Sequence, residues 1–173
     1  MKFLCIGCLH GKLPKKALKL AKKVDAIFCL GDLPDTSFLR NLEFKHWKKI
    51  TNVKNRDNIE EEYFSLLTPK KWREVYAGLS NSIKNILITL NRINKKVFLV
   101  LGNSDFTYGE KQSLVKSLDL PKKVLSTQEI IRKYKLNNIK LLISDSIILK
   151  NILILGHSGY RGPSYKGVIK DVS

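Results

Sequence analysis

Three short segments of this 173-residue chain share one design. Gly7-Cys8-Leu9-His10-Gly11, Gly31-Asp32 and Gly102-Asn103-Ser104-Asp105 each follow an apolar run and set metal-capable or polar side chains beside a glycine. In an open α/β sheet the carboxyl ends of the strands form the ligand crevice. His10, Asp32, Asn103 and Asp105 are therefore expected to converge. An imidazole with hard oxygen donors suits zinc, manganese or iron, and an aspartate can bridge two ions. The plainer alternative is that His10 and Asp32 only cap their turns. Cys8 shares a loop with His10 and reads more simply as an inert thiol than as a nucleophile, because its sole candidate base is His10.

The elements that must position these groups are legible as periodicity. Lys2 to Gly7 is an apolar run stopped by glycine. Pro14 to Val24 carries Ala17, Leu18, Ala21 and Val24 at helical spacing, with Pro14 suited to the first helical position. Ala26 to Leu30 is a second strand, so the order strand–helix–strand predicts an α/β domain with a parallel pair. The polar, basic stretch at about 35–58 leaves its structure open. A short helix is expected at 57–67, and then Thr68 caps a long one with Pro69 at its first position. Trp72, Val75, Tyr76, Leu79, Ile83, Ile86, Leu87, Leu90 and Ile93 form its 3–4 stripe, which is core packing. Strands follow at 95–101 and 139–143, helices at 110–117 and 128–134, and a hairpin at 144–155 turning through Lys150-Asn151. The chain reads as a single domain, 1–173, with a basic helical insertion at about 35–94 and a basic Gly/Tyr tail at about 159–173.

The three glycine segments in this order resemble the calcineurin-like metallophosphoesterases. That family's blocks are D-x-H, G-D, G-N-x-[DE], a lone His and G-H-x-H, and residues 1–11, 26–36 and 97–106 match the first three. The resemblance implies an α/β fold, a metallophosphoesterase-like β-sandwich flanked by helices, here incomplete at its C-terminal end. It implies two metal ions and hydrolysis of a phosphomono- or diester. By the same resemblance His10 binds the first ion, Asp32 bridges both and Asn103 binds the second. Asp105 orients a ligand from behind and is a weaker candidate ligand. Cys8 stands where the family has Asp, and a thiolate binds zinc or iron but does not replace a hard carboxylate for manganese or magnesium. The lone His is missing, because no histidine lies between His46 and His157. Gly156-His157-Ser158-Gly159 stands in for the last block or belongs to an earlier hairpin, which makes His157 another weaker candidate. On the hairpin alignment the chain stops before the last two blocks. The ligand count therefore predicts no metal or one weakly bound divalent ion, zinc, manganese or iron. Two ions are expected only if the protein is a working enzyme.

Charge points to a partner. Lys and Arg number 32 against 15 Asp and Glu, a net charge of +17, and such a surplus suits a polyanion. Lys15, Lys19, Lys22 and Lys23 lie opposite Leu18 and Ala21 on the first helix and form a positive ridge. Trp47, Lys48 and Lys49 place an aromatic among cations. Tyr160, Arg161, Tyr165 and Lys166 in the tail can stack on bases and meet phosphates. No DNA-reading helix motif is present, so RNA or a ribonucleoprotein such as the ribosome is the expected partner. Three cysteines, Cys5, Cys8 and Cys29, with no second pair to match Cys5 and Cys8, exclude a disulfide framework and a zinc finger. Cys5 and Cys29 are expected to be buried hydrophobes. No apolar run approaches a membrane span, and a cytoplasmic location is expected. The resulting expectation is a catalytically degenerate metallophosphoesterase-fold protein that binds RNA. The alternatives are an active phosphodiesterase or nuclease, or part of a longer enzyme.

Overall fold

Four of the apolar runs pair side by side in chain order. In the computed structural model, which describes residues 1–51 and 62–157, β1 (Phe3–Ile6), β2 (Ala26–Cys29), β3 (Lys96–Leu99) and β4 (Ile139–Leu141) form one sheet ordered β1-β2-β3-β4. Every pairing is parallel, with Phe3 opposite Ala26, Ala26 opposite Lys96 and Val97 opposite Ile139. The crossovers contain α1 (Lys15–Ala21), then α2 (Ser37–Thr51) and α3 (Pro69–Arg92), then α4 (Tyr108–Leu118) and α5 (Thr127–Lys133). Parallel crossovers are right-handed in nearly all proteins. Because the strand order never reverses, they lay their helices on one face. The other face is left to the antiparallel hairpin β5 (Asp145–Leu149) and β6 (Ile152–Gly156), with Leu149 opposite Ile152. Lys150 turns it at φ 55. This is the mixed α/β architecture expected.

The period of two along each strand divides the core. Ile27, Cys29, Val97 and Leu99 point to the helices, whereas Ala26 and Phe98 point to the hairpin, where Ile147 and Leu149 meet them. Across three neighbouring strands Phe3 meets Phe28 edge to face and Phe28 stacks on Phe98, at centroid separations of 5.2 and 5.5 Å. On the helical side α3 contributes more buried apolar residues than any other described helix. Thr68 caps it, accepting from the Lys71 amide at 3.3 Å, with Pro69 next. Trp72, Tyr76, Leu79, Ile83, Ile86, Leu87 and Leu90 are all buried, as the stripe requires.

Four local expectations are corrected or completed. Pro14 is the cap residue of α1, one position before the helix. Cys5 is exposed on the edge strand β1, whereas Cys29 is fully buried and its burial pushes the thiol up to about 12. The open stretch contains α2, started by Asp35, whose carboxylate accepts from both the amide and the hydroxyl of Ser37. Only Leu39 and Leu42 of α2 reach the main core, while Phe44 and Trp47 are 79% and 60% exposed, so it carries no clean stripe. Of the short helix expected at 57–67, residues 62–65 are helical and 57–61 lie outside the described residues.

One buried ion pair ties α4 to α5. Lys111, 8% exposed at its side chain, donates to both oxygens of Glu129 at 2.8 and 2.7 Å. Glu129 also closes a capping box with Ser126. Burial opposes ionisation of Glu129, but the Lys111 ammonium and the Ser126 amide outweigh it and hold the carboxyl below its usual range. Glu129→Gln is expected to cost about 2 kcal/mol, the value for a hydrogen bond to a charged partner. That lowers Tm by roughly 4–8 °C at this chain length. Thermal melts at pH 7 and pH 3 check it. The depressed carboxyl contributes stability that is lost as pH falls through its range, so the gap between the two proteins should close in acid.

Candidate metal centre

The loops after β1 and β2 are clipped together by their backbones. The His10 amide donates to the Asp32 carbonyl and the Gly11 amide to the Leu33 carbonyl, both at 2.8 Å. The clip holds Cys8, His10 and Asp32 at φ 50, 41 and 54, all in the left-handed region. That conformation costs an ordinary L residue roughly 1–2 kcal/mol, and such strain gathers at ligand sites. Its effect here is convergence. One donor atom from each of Cys8, His10 and Asp32 lies within 4.8 Å of the others, and the Cys8 Sγ is 3.7 Å from Asp32 Oδ2.

The β3 loop closes on the same point from the other side. A Cβ on Gly31 would sit 2.6 Å from Asp105 Oδ2, and one on Gly102 would sit 2.8 Å from Asp32 Cγ. Both positions must therefore be glycine for the strand ends to approach. Asp105, 1% exposed, accepts three backbone N–H groups: Asp32 at 2.8 Å, Leu33 at 2.9 Å and Gly102 at 2.8 Å. Burial pushes its carboxyl up to about 6 against the pull of those amides. Ser104 in turn donates its amide to Asp32 Oδ1 at 3.0 Å. Asp105 thus spends both oxygens on the backbone that carries Asp32, and its place is behind the donors.

Two contacts lie beyond anything the sequence reading named. His10 Nδ1 is 3.3 Å from Thr36 Oγ1, and His10 Nε2 is 3.2 Å from Arg40 Nη2. A guanidinium only donates, so Nε2 must accept and the ring proton sits on Nδ1, facing the threonine oxygen. Thr36 thereby fixes the tautomer in which Nε2 presents a lone pair, as outer partners of metal-binding histidines do. The available signal was spacing: α2 begins five residues after Asp32, which puts its first turn over the site.

The donor set fits a zinc ion. Thiolate, imidazole and carboxylate are all zinc ligands at roughly 2.0–2.3 Å, which gives a tetrahedral sulfur–oxygen edge of roughly 3.5 Å. The observed 3.7 Å matches that edge. Bound there, a divalent ion supplies a Lewis acid to a phosphate oxygen. A second ion finds less. Asn103 is exposed at the loop tip, and His157, also exposed, pairs with Ser144 Oγ at 2.9 Å. Among the described residues no second trio of His, Cys, Asp or Glu donors assembles. A groove of about 470 Å³ between α2 and α3, lined by Asp35, Ser37, Lys71 and Glu74 among others, includes none of the three donors.

The described basic positions expected to meet a polyanion are exposed. Lys15, Lys19, Lys22, Lys23 and Lys48 are exposed, as is Trp47 on α2. The side chain of Lys49, and Tyr160, Arg161, Tyr165 and Lys166, lie outside the described residues. No described helix is long and apolar enough to cross a membrane.

Comparison with known proteins agrees with the strand-end pattern. The family model described as calcineurin-like phosphoesterase matches residues 1–166. No curated protein matches the chain. Among solved structures, one crystal structure superposes with a TM-score of 0.50 at 12% identity over 91% of this chain and 52% of its own. That likeness concerns the fold alone, and this chain spans about half the length of that neighbour.

Proposed function

Because the chain belongs to the calcineurin-like phosphoesterase family, we propose that it binds phosphate esters at a single divalent ion held by Cys8, His10 and Asp32. The observation that carries this is the convergence of those three donors within 4.8 Å. Thiolate ligation favours zinc over manganese or magnesium. Efficient two-ion hydrolysis is not expected of this donor set, because among the described residues no second trio of donors assembles beside Asp32 and Asn103. The site is degenerate in that sense: it can hold a phosphate, and it lacks the paired charge that a fast phosphoryl transfer uses. Three free cysteines suit a reducing compartment, and we place the protein in the cytoplasm.

We further propose that RNA, alone or in a ribonucleoprotein such as the ribosome, docks on the basic surface independently of the ion site, and the net charge of +17 supports that reading. Lys15 and Lys19 lie on α1, whereas the expected helical ridge stops short because α1 ends at Ala21, leaving Lys22 as its cap and Lys23 beyond it. These lysines and the exposed Trp47 on α2 would hold the backbone and stack on a base. Replacing Lys19, Lys22 and Lys23 together by Gln should weaken RNA binding by roughly tenfold or more at low salt. It should also reduce the slope of log affinity against log salt by about 2–3. His10→Ala should leave both quantities within about twofold, since phosphate contacts on the surface dominate such binding. Filter binding of a structured RNA across a salt series measures this. A triple variant with wild-type affinity and slope overturns the RNA assignment. An active phosphoesterase is the second reading, favoured by the same trio of donors. Turnover of a phosphodiester that disappears in both His10→Ala and Asp32→Asn would establish it.

A further inference from the structure

We infer that Arg40 and a divalent ion compete for Nε2 of His10, and that Arg40, once displaced, clamps the phosphate group of the bound ester. The inference rests on the single-ion reading of the site. Arg40 Nη2 stands 3.2 Å from Nε2, on the lone pair that the Thr36 contact leaves available. A zinc–imidazole bond is about 2.0–2.1 Å, so an ion on that lone pair and a guanidinium nitrogen would occupy nearly the same space with like charge. One must leave, and the arginine is the one built to move. Its backbone is anchored in the first turn of α2 by a bond to the Thr36 carbonyl at 2.9 Å, while its side chain is exposed. No carboxylate among the described residues forms an ion pair with it.

Charge gives the displaced guanidinium its destination. Cys8 as thiolate and Asp32 as carboxylate together cancel one divalent ion, leaving nothing positive over for a phosphate. Among the described residues a second ion would find few donors. Arg40 supplies the missing cation, and its planar fork matches two phosphate oxygens at once. The residue is thus a brake on ion binding and an anchor for the substrate.

Both roles are read without turnover. Zinc affinity is measured by competition with a chromophoric chelator, and inorganic phosphate binding to the zinc-loaded protein by calorimetry. Arg40→Gln should tighten zinc by about tenfold and weaken phosphate by about tenfold, the scale of a lost charge-assisted bidentate contact. Arg40→Lys should restore part of the phosphate affinity, as a point charge without the fork. Arg40→Gln with either affinity within about twofold of wild type overturns the inference, provided His10→Ala loosens zinc by roughly 100-fold. Zinc binding untouched by His10→Ala overturns the single-ion reading itself, whatever the arginine variants do.

Discussion

Asp32→Asn is expected to loosen zinc by roughly 100-fold or more while leaving the melting temperature where it was; even indirect partners of a bound metal cost 10–100-fold. The substitution is chosen for what it keeps. Asparagine tolerates the left-handed backbone that Asp32 adopts at φ 54. Its amide oxygen can still accept from Ser104, as Oδ1 does at 3.0 Å. What changes is the atom facing Cys8. There Oδ2, 3.7 Å from the sulfur, becomes an NH2 group that cannot ligate, and the site loses a negative charge. Chelator competition gives the affinity and a thermal melt gives the fold. Zinc affinity equal to wild type would show that Asp32 is a turn residue and no ligand.

Asp105→Ala should act in the opposite sense, on the fold before the site. It removes the acceptor for three amides, those of Asp32, Leu33 and Gly102, in a place where water is excluded. Each stranded donor costs about 1–3 kcal/mol. Part of that is offset, because burial opposes ionisation of the carboxylate and raises it to about 6. A net loss of about 3–5 kcal/mol is expected, a large share of the 5–15 kcal/mol that holds a domain together. Asp105→Asn should fall between, keeping one oxygen for two amides and setting an NH2 against the third. Denaturant titration measures both. An alanine variant as stable as wild type would mean that these amides find other acceptors and that Asp105 does not hold the β2 and β3 loops together.

Much of this was legible because local rules and tertiary packing agree. Glycine after the first three apolar runs marked the strand ends, and Thr68-Pro69 marked the start of the long helix. The stripe from Trp72 to Leu90 is buried as its spacing requires, apart from the half-buried Val75. The rest depended on distance in space. Cys5 shares a strand face with Phe3, but it lies on an edge strand and is exposed there, and no pattern along one strand reveals its neighbours. α2 was obscure because only Leu39 and Leu42 anchor it in the main core, which leaves its exposed aromatics to blur the period. Arg40 looked like one more cation on a basic chain. Its contact with His10, 30 residues away, follows from where α2 begins.

The same limit applies to the donor set. Spacing grouped His10, Asp32, Asn103 and Asp105 as one cluster, since each follows a strand. In space they sort by role. Cys8, His10 and Asp32 face one another, Asp105 faces the backbone behind them, and Asn103 sits exposed at the tip of its loop. That sorting is what argues for one ion.

Elemental analysis of protein purified without chelator, beside His10→Ala and Asp32→Asn prepared identically, tests the single-ion site most directly. About one zinc per wild-type chain and almost none in either variant is the expected result for a thiolate, imidazole and carboxylate set. Two ions per wild-type chain, or metal content that neither substitution changes, would contradict it.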